Sequence, residues 1–182
     1  MSAGTRKQFA VAGPNGLPRR QKLLSFRPAW HACRVIIAKA TSPPLRDPWF
    51  LAALAAGPAA WALLALWLPI IDPRWPLARP MQFLALALLY PVLEELVFRG
   101  LLQGALLRRG WGRRRAGPVT AANLAAALAF AVAHLLRLTP AWAAAVLLPG
   151  LVFGYFRERH GIGAAIVLHA FYNAGFVWLF HG

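Results

Sequence analysis

Tyr90-Pro91-Val92-Leu93-Glu94-Glu95-Leu96-Val97-Phe98-Arg99-Gly100 is the stretch on which the reading of the whole chain turns. It sets two adjacent carboxylates and a guanidinium inside a run that otherwise reads as membrane-buried helix. Residues 81–93 carry no charge, and residues 101–107 are apolar apart from Gln103 and Gly104. A charge near the bilayer centre costs roughly 2.5–3.5 kcal/mol on insertion scales, so three together need a reason. Glu95 and Arg99 are four apart with the acid first, the favoured order for an ion pair on one helix face. Glu94 points about 100° away round the helix and is left without a partner in its own segment. It must be protonated, hydrated or paired from another helix. A structural salt bridge beside a neutral acid would satisfy these residues, but an intramembrane ionisable cluster is a functional hypothesis by default.

The flanking sequence is that of a membrane protein. Of the 182 residues 59% are hydrophobic and 14% charged, against about 45–50% and about 25% in soluble domains. Only helices or a closed barrel satisfy the backbone in lipid, and long Ala- and Leu-rich runs fit helices. The expected fold class is therefore all-α, a polytopic bundle of five spans at residues 49–71, 81–107, 118–136, 141–156 and 162–180. Gly57-Pro58 is expected to bend the first span, and Pro91 to free a carbonyl one turn before the glutamates. Gly100/Gly104 and Gly150/Gly154 have the spacing that lets helices approach closely. Thr139 and Pro140 have the chemistry of a helix start. Residues 1–47 form a basic, proline-rich tail, read as disordered or as an extension upstream of the true start, with 30–40 able to lie on the headgroups as an amphipathic helix.

The formal net charge of +15 suggests nucleic acid at first sight. The basic residues flank apolar spans, however, and leave no soluble patch. With the N-terminus inside, the tail, the 108–117 turn and the 157–161 loop hold 16 Lys/Arg, against Arg74, Arg79 and Arg137 on the other side. That asymmetry predicts a cytoplasmic N-terminus in the cell inner membrane. No signal peptide is read in the tail. The single Cys33 excludes an internal disulfide, and no zinc-type Cys/His spacing occurs.

Polar groups within the spans come from three helices: Glu94, Glu95 and Arg99; His134; and His169 with Asn173. Counted at 1.5 Å per residue from the cytoplasmic ends, Glu94 lies ~20 Å deep, His134 ~24 Å and Asn173 ~17 Å, depths that overlap and so allow one shared cavity. Two neighbouring carboxylates kept from bulk water resist ionising together, which suits one of them to act as a base near neutral pH. An imidazole opposite can help hold a water, and a His N–H with an Asn amide four residues on can donate to an oxyanion. These are the parts for amide hydrolysis without a covalent intermediate. The serines and the thiol all lie in the tail, so no nucleophile stands out.

Glu94-Glu95-Leu96-Val97-Phe98-Arg99 resembles the EExxxR motif of the CAAX protease and bacteriocin-processing family, the type II CAAX prenyl endopeptidase-like membrane proteins. Phe130 to His134 is similar to its FxxxH motif, and His169 to Asn173 to its HxxxN motif, in family order and spacing, with the core at residues 81–180 of a domain at 48–182. The resemblance implies a glutamate intramembrane protease without metal or other cofactor. It implies that Glu94 and His134 activate water, His169 and Asn173 form an oxyanion hole, Glu95 and Arg99 support the site, and Phe130 packs beside it. The compact form opening Asp47-Pro48-Trp49-Phe50 also resembles small bacterial members that accompany C-terminal sorting signals of the JDVT-CTERM kind. That implies a membrane-anchored protein or peptide substrate cut near its C-terminus, with the bilayer as the other partner. The family's non-catalytic immunity or scaffold members are the alternative. A small proton-coupled carrier is a third reading, since Glu/His chains also mark proton relays, but no internal repeat supports it.

Overall fold

A computed structural model of the chain describes residues 43–181. The tail expected at 1–47, with its surface-helix reading at 30–40, lies outside the described residues except for 43–47. Among the described residues the five helical rods expected are α1 Pro48–Leu64, α3 Pro80–Leu106, α4 Ala121–His134, α5 Pro140–His160 and α6 Ile162–Phe180, with a short extra helix, α2 Trp75–Ala78, before α3 and a two-stranded ribbon of β1 Arg115–Ala116 and β2 Val119–Thr120 before α4. Of the rods, α3, α5 and α6 are long and apolar enough to cross a membrane, and α1 and α4 are shorter apolar helices. The chain is thus an all-α membrane bundle. Its surface is inverted relative to a soluble protein: Leu93, Val97, Leu101, Leu128 and Val132 face outward while Glu95, Arg99 and Gln103 have no exposed surface. That is the arrangement lipid selects, because an apolar solvent rewards outward leucines and penalises outward charge.

Helix ends follow local chemistry and correct three expected boundaries. The first span was expected to run to residue 71, but α1 stops at Leu64. A turn and Pro69 follow, and proline disfavours helix in the residue before it; the Ile71 N–H goes instead to Leu179 O at 3.0 Å. The third span was expected from 118, but Thr120 caps α4 by accepting from Asn123 N at 2.9 Å. The fourth was expected to close at 156, but α5 runs to His160 and ends at Gly161, whose φ of 88° only glycine takes readily. Thr139 occupies the N-cap position of α5 with no side-chain bond, and Pro140 is its first helical residue.

Asp47 ties the start of α1 to the end of α5. Its Oδ1 accepts from Trp49 N at 3.1 Å, and its Oδ2 faces the Arg159 guanidinium and His160 Nε2, the latter at 2.7 Å. The hydrogen bond from Arg159, then that with His160, hold this carboxyl down at about 2, below the ordinary value near 4. A depressed acid adds stability above its unfolded pKa and loses it as pH falls through the folded one. The attachment of α1 to α5 is therefore expected to loosen between about pH 4 and 2. Trp49 fluorescence in detergent should report this, and Asp47→Asn should remove that pH step.

α1 packs on α6 through two glycines. A Cβ on Gly175 would strike the Trp61 ring, and one on Gly57 would meet Phe171 and Tyr172 at 3.1 Å. The Tyr172 hydroxyl donates to Ala53 O at 2.6 Å, close to the Leu54 carbonyl that Pro58 deprives of its helical donor. Gly175→Ala is expected to cost about 1–3 kcal/mol by overpacking, read as a lowered unfolding midpoint in detergent.

Candidate active site

The motif helix α3 is not uniformly α-helical. Ala85–Leu89 and Leu96–Gln103 are wound as π-helix and flank Tyr90–Glu95. Pro91 explains the first. In the wider register the Tyr90 N–H reaches Ala85 O, so the donor due to Leu86 O is residue 91, a proline with no N–H. The Asn173 amide from α6 supplies the missing donor at 3.3 Å. A freed carbonyl was legible in the sequence, and the π register moves it to Leu86. π-helical turns recur at functional sites.

Glu95 and Arg99 are fully buried and paired at 3.1 Å. Arg99 NH2 donates to Gly150 O at 3.0 Å, and its guanidinium lies 4.3 Å from the centre of the Phe130 ring. One turn on, Gln103 repeats the contact by donating to Gly154 O at 3.0 Å. Two rungs four residues apart thus fix α3 against the glycine face of α5. Gln103 Nε2 also donates to Glu158 Oε1 at 2.8 Å, which accepts from Thr120 at 2.6 Å. A Cβ at Gly154 would collide with the Asn123 carboxamide, so this close approach requires glycine. Arg99 Nε and Glu95 Oε2 lack hydrogen-bond partners among the described residues, which the Phe130 face offsets in part for the cation.

His169 sits between the two acids. Its Nδ1 is 2.8 Å from Glu95 Oε1 and its Nε2 is 3.6 Å from Glu94 Oε2. Glu95 is ion-paired and accepts only, so the Nδ1–H donates to it. The 3.6 Å contact is too long for a hydrogen bond. The ring is clamped by Phe153, stacked at 4.7 Å, and by the edge of Phe130 at 5.6 Å. Phe130 also packs on His134 at 4.4 Å, and His134 Nδ1 lies 2.8 Å from Phe130 O. A carbonyl only accepts, so Nδ1 carries the proton and the neutral ring would present Nε2 as an acceptor.

Two cavities meet at this cluster. A small one of about 160 Å³ is bounded by Tyr90, Leu93, Glu94, Phe98, His134 and Arg137. A larger one of about 610 Å³ lies between α1, α4, α5 and α6, with His134, His169 and Asn173 in an otherwise mostly apolar wall. His134 borders both. Glu94 and His134 thus share a cavity with no hydrogen bond between them, while His169 from α6 approaches Glu94 to 3.6 Å. Among the described residues no three His, Cys, Asp or Glu are grouped to hold a metal ion.

A family model, type II CAAX prenyl endopeptidase Rce1-like, matches residues 75–175. The chain belongs to this family. No curated protein and no solved structure matches it. Membership makes this Rce1-like chain a CAAX-type intramembrane protease in general class, with a membrane-associated substrate. The match spans α3 and the bonded face of α6, so every polar residue of the cluster lies inside it. α1, which walls the larger cavity, lies before it. Three contributors were not singled out in the sequence of this Rce1-like protein: Phe153, Gln103 and Arg137. Gln103 left a signal, as the one amide in an apolar run four residues after Arg99. Phe153 left none, because a phenylalanine beside Gly154 reads as ordinary packing.

Proposed function

We propose that this protein hydrolyses a peptide bond near the C-terminus of a membrane-anchored protein, as a glutamic intramembrane endopeptidase. The observation that carries the reading is the cavity bordered by both Glu94 and His134 where it abuts the apolar chamber. A water between them gives its proton to Glu94 while His134 Nε2 orients it, and it attacks a carbonyl presented from the apolar side. Asn173 spends one amide N–H on Leu86 O and keeps a second for the developing oxyanion. His169 keeps its Nδ1–H on Glu95, and as the imidazolium it also has an Nε2–H to donate to that oxygen. Glu95 and Arg99 hold His169 in place, and Phe130 sets the spacing of both imidazoles. Proton return from Glu94 to the leaving amine completes hydrolysis.

For the cellular setting, the positive-inside asymmetry supports a cytoplasmic N-terminus, and with it we assign the chain to the inner membrane. The substrates are C-terminal sorting tails of exported proteins, held by their apolar segment in the 610 Å³ chamber, a volume within the usual range for ligand sites. The test is reconstitution in liposomes with membrane-anchored test proteins bearing varied C-terminal tails, with products weighed by mass spectrometry. A shortened product carrying one oxygen from labelled water is expected. Intact tails throughout the set would remove the reading.

A further inference from the structure

The small cavity holds a group that the proposed chemistry does not use. Arg137 lines it beside Glu94 and His134, and among the described residues no carboxylate lies within ion-pair distance of its guanidinium. The guanidinium lies 5.9 Å from the centre of the Tyr90 ring. Backbone geometry sets its place. The Arg137 N–H donates to His134 O at 3.0 Å in the turn that ends α4, so Arg137 stands three residues beyond His134. Tyr90 stands one turn before Glu94 on α3. The cavity therefore has two layers, an acid and an imidazole in one, a guanidinium and a phenol in the next, about one helical turn or 5 Å apart.

α4 has 14 residues and rises only about 20 Å, against roughly 30 Å of hydrocarbon. Its terminal turn is thereby held near the reacting layer. A guanidinium placed there, with planar donors and no built-in acceptor, is suited to a carboxylate entering from outside. The other cavity, across His134, is the apolar one. A peptide lying over His134 would have its apolar part in the large chamber and its chain end in the small one.

We infer that Arg137 binds the free C-terminal carboxylate of the peptide substrate and so selects for bonds close to a chain end. The inference rests on the peptidase reading and adds a specificity residue to it. The guanidinium does not touch the scissile bond; it sets which bond stands over Glu94 and His134. A charge-assisted hydrogen bond is worth about 1.5–3 kcal/mol, so a free-acid peptide should be favoured roughly tenfold to a hundredfold over its C-terminal amide.

The experiment uses peptides of ten randomised apolar residues, each synthesised as free acid and as amide, offered to the full chain in nanodiscs. Retention on the Glu94→Gln protein is read by mass spectrometry, and cleavage on the unmodified protein is read in parallel. Free acids should be enriched, the preference should vanish in Glu94→Gln/Arg137→Gln and return in part in Glu94→Gln/Arg137→Lys. In cleavage, Arg137→Gln should raise KM for free acids while leaving KM for amides unchanged. Equal retention of acids and amides overturns the assignment, even where both are cleaved and the peptidase reading stands. An Arg137→Gln effect that is the same for both forms, as an arginine resting on lipid phosphate would give, also overturns it. Enrichment of acids without any cleavage sustains Arg137 as a carboxylate site and removes the peptidase reading instead.

Discussion

Glu94→Gln is expected to lower peptide hydrolysis by roughly 10²–10⁴-fold while leaving the folded protein intact, since a positioned general base contributes about that much. The side chain is a third exposed, it borders the cavity, and its one ionic contact among the described residues is the long 3.6 Å approach to His169. Removing its charge therefore breaks no buried pair. Gln keeps the shape and can still hold a water but cannot take its proton. Cleavage should be followed on a reconstituted substrate, and folding by the unfolding midpoint in the same detergent. A slow enzyme with an unchanged midpoint is the predicted pairing. A variant with full activity would strip Glu94 of the assigned role.

Arg99→Met should do the reverse and act first on stability. Arg99 is wholly buried, paired with Glu95, bonded to Gly150 O and set against Phe130. Removing one partner of a buried pair costs about 3–5 kcal/mol because the other charge is stranded. Glu95 would keep only His169. The double change Glu95→Gln/Arg99→Met should recover part of that loss, since it leaves no uncompensated charge. Recovery measured in a double-mutant cycle of unfolding midpoints would show that the pair holds the helices in place. A midpoint insensitive to Arg99→Met would contradict this placement of the pair. Activity should fall in the single variant as well, because His169 is oriented through Glu95.

Much of this was legible in residue types and spacing. Glu95 and Arg99, four apart in an apolar helix, pair as the spacing favoured, and of the three outcomes open to Glu94 (protonation, hydration or a partner on another helix) the structure shows a cavity-facing side chain with a 3.6 Å approach to His169. The apolar runs placed the five rods because lipid allows little else. Boundaries were less legible where a run stayed apolar after its helix had ended, as between Leu64 and Ile71. They were also less legible where a charged segment stayed helical, as in Arg157 to His160, which Glu158 and Asp47 anchor through long-range contacts. The π turns of α3 were hidden for a different reason. Pro91 announces a lost hydrogen bond, but which carbonyl loses it depends on Asn173, eighty-two residues on, being there to replace the donor. The pairing of His169 with Glu95 was equally out of reach, because the direction of an imidazole ring depends on the Phe153 and Phe130 faces around it.

On the proposed mechanism Glu94 and His134 act on one water in the cavity they share. A kinetic double-mutant cycle on hydrolysis of a reconstituted substrate tests it most directly, using Glu94→Gln, His134→Gln and the pair. Residues that act as a unit are grossly non-additive. The predicted result is a double variant about as slow as the slower single one. Losses that multiply, so that the double variant is slower by the product of the two, would mean that the two side chains work independently and would contradict the shared water.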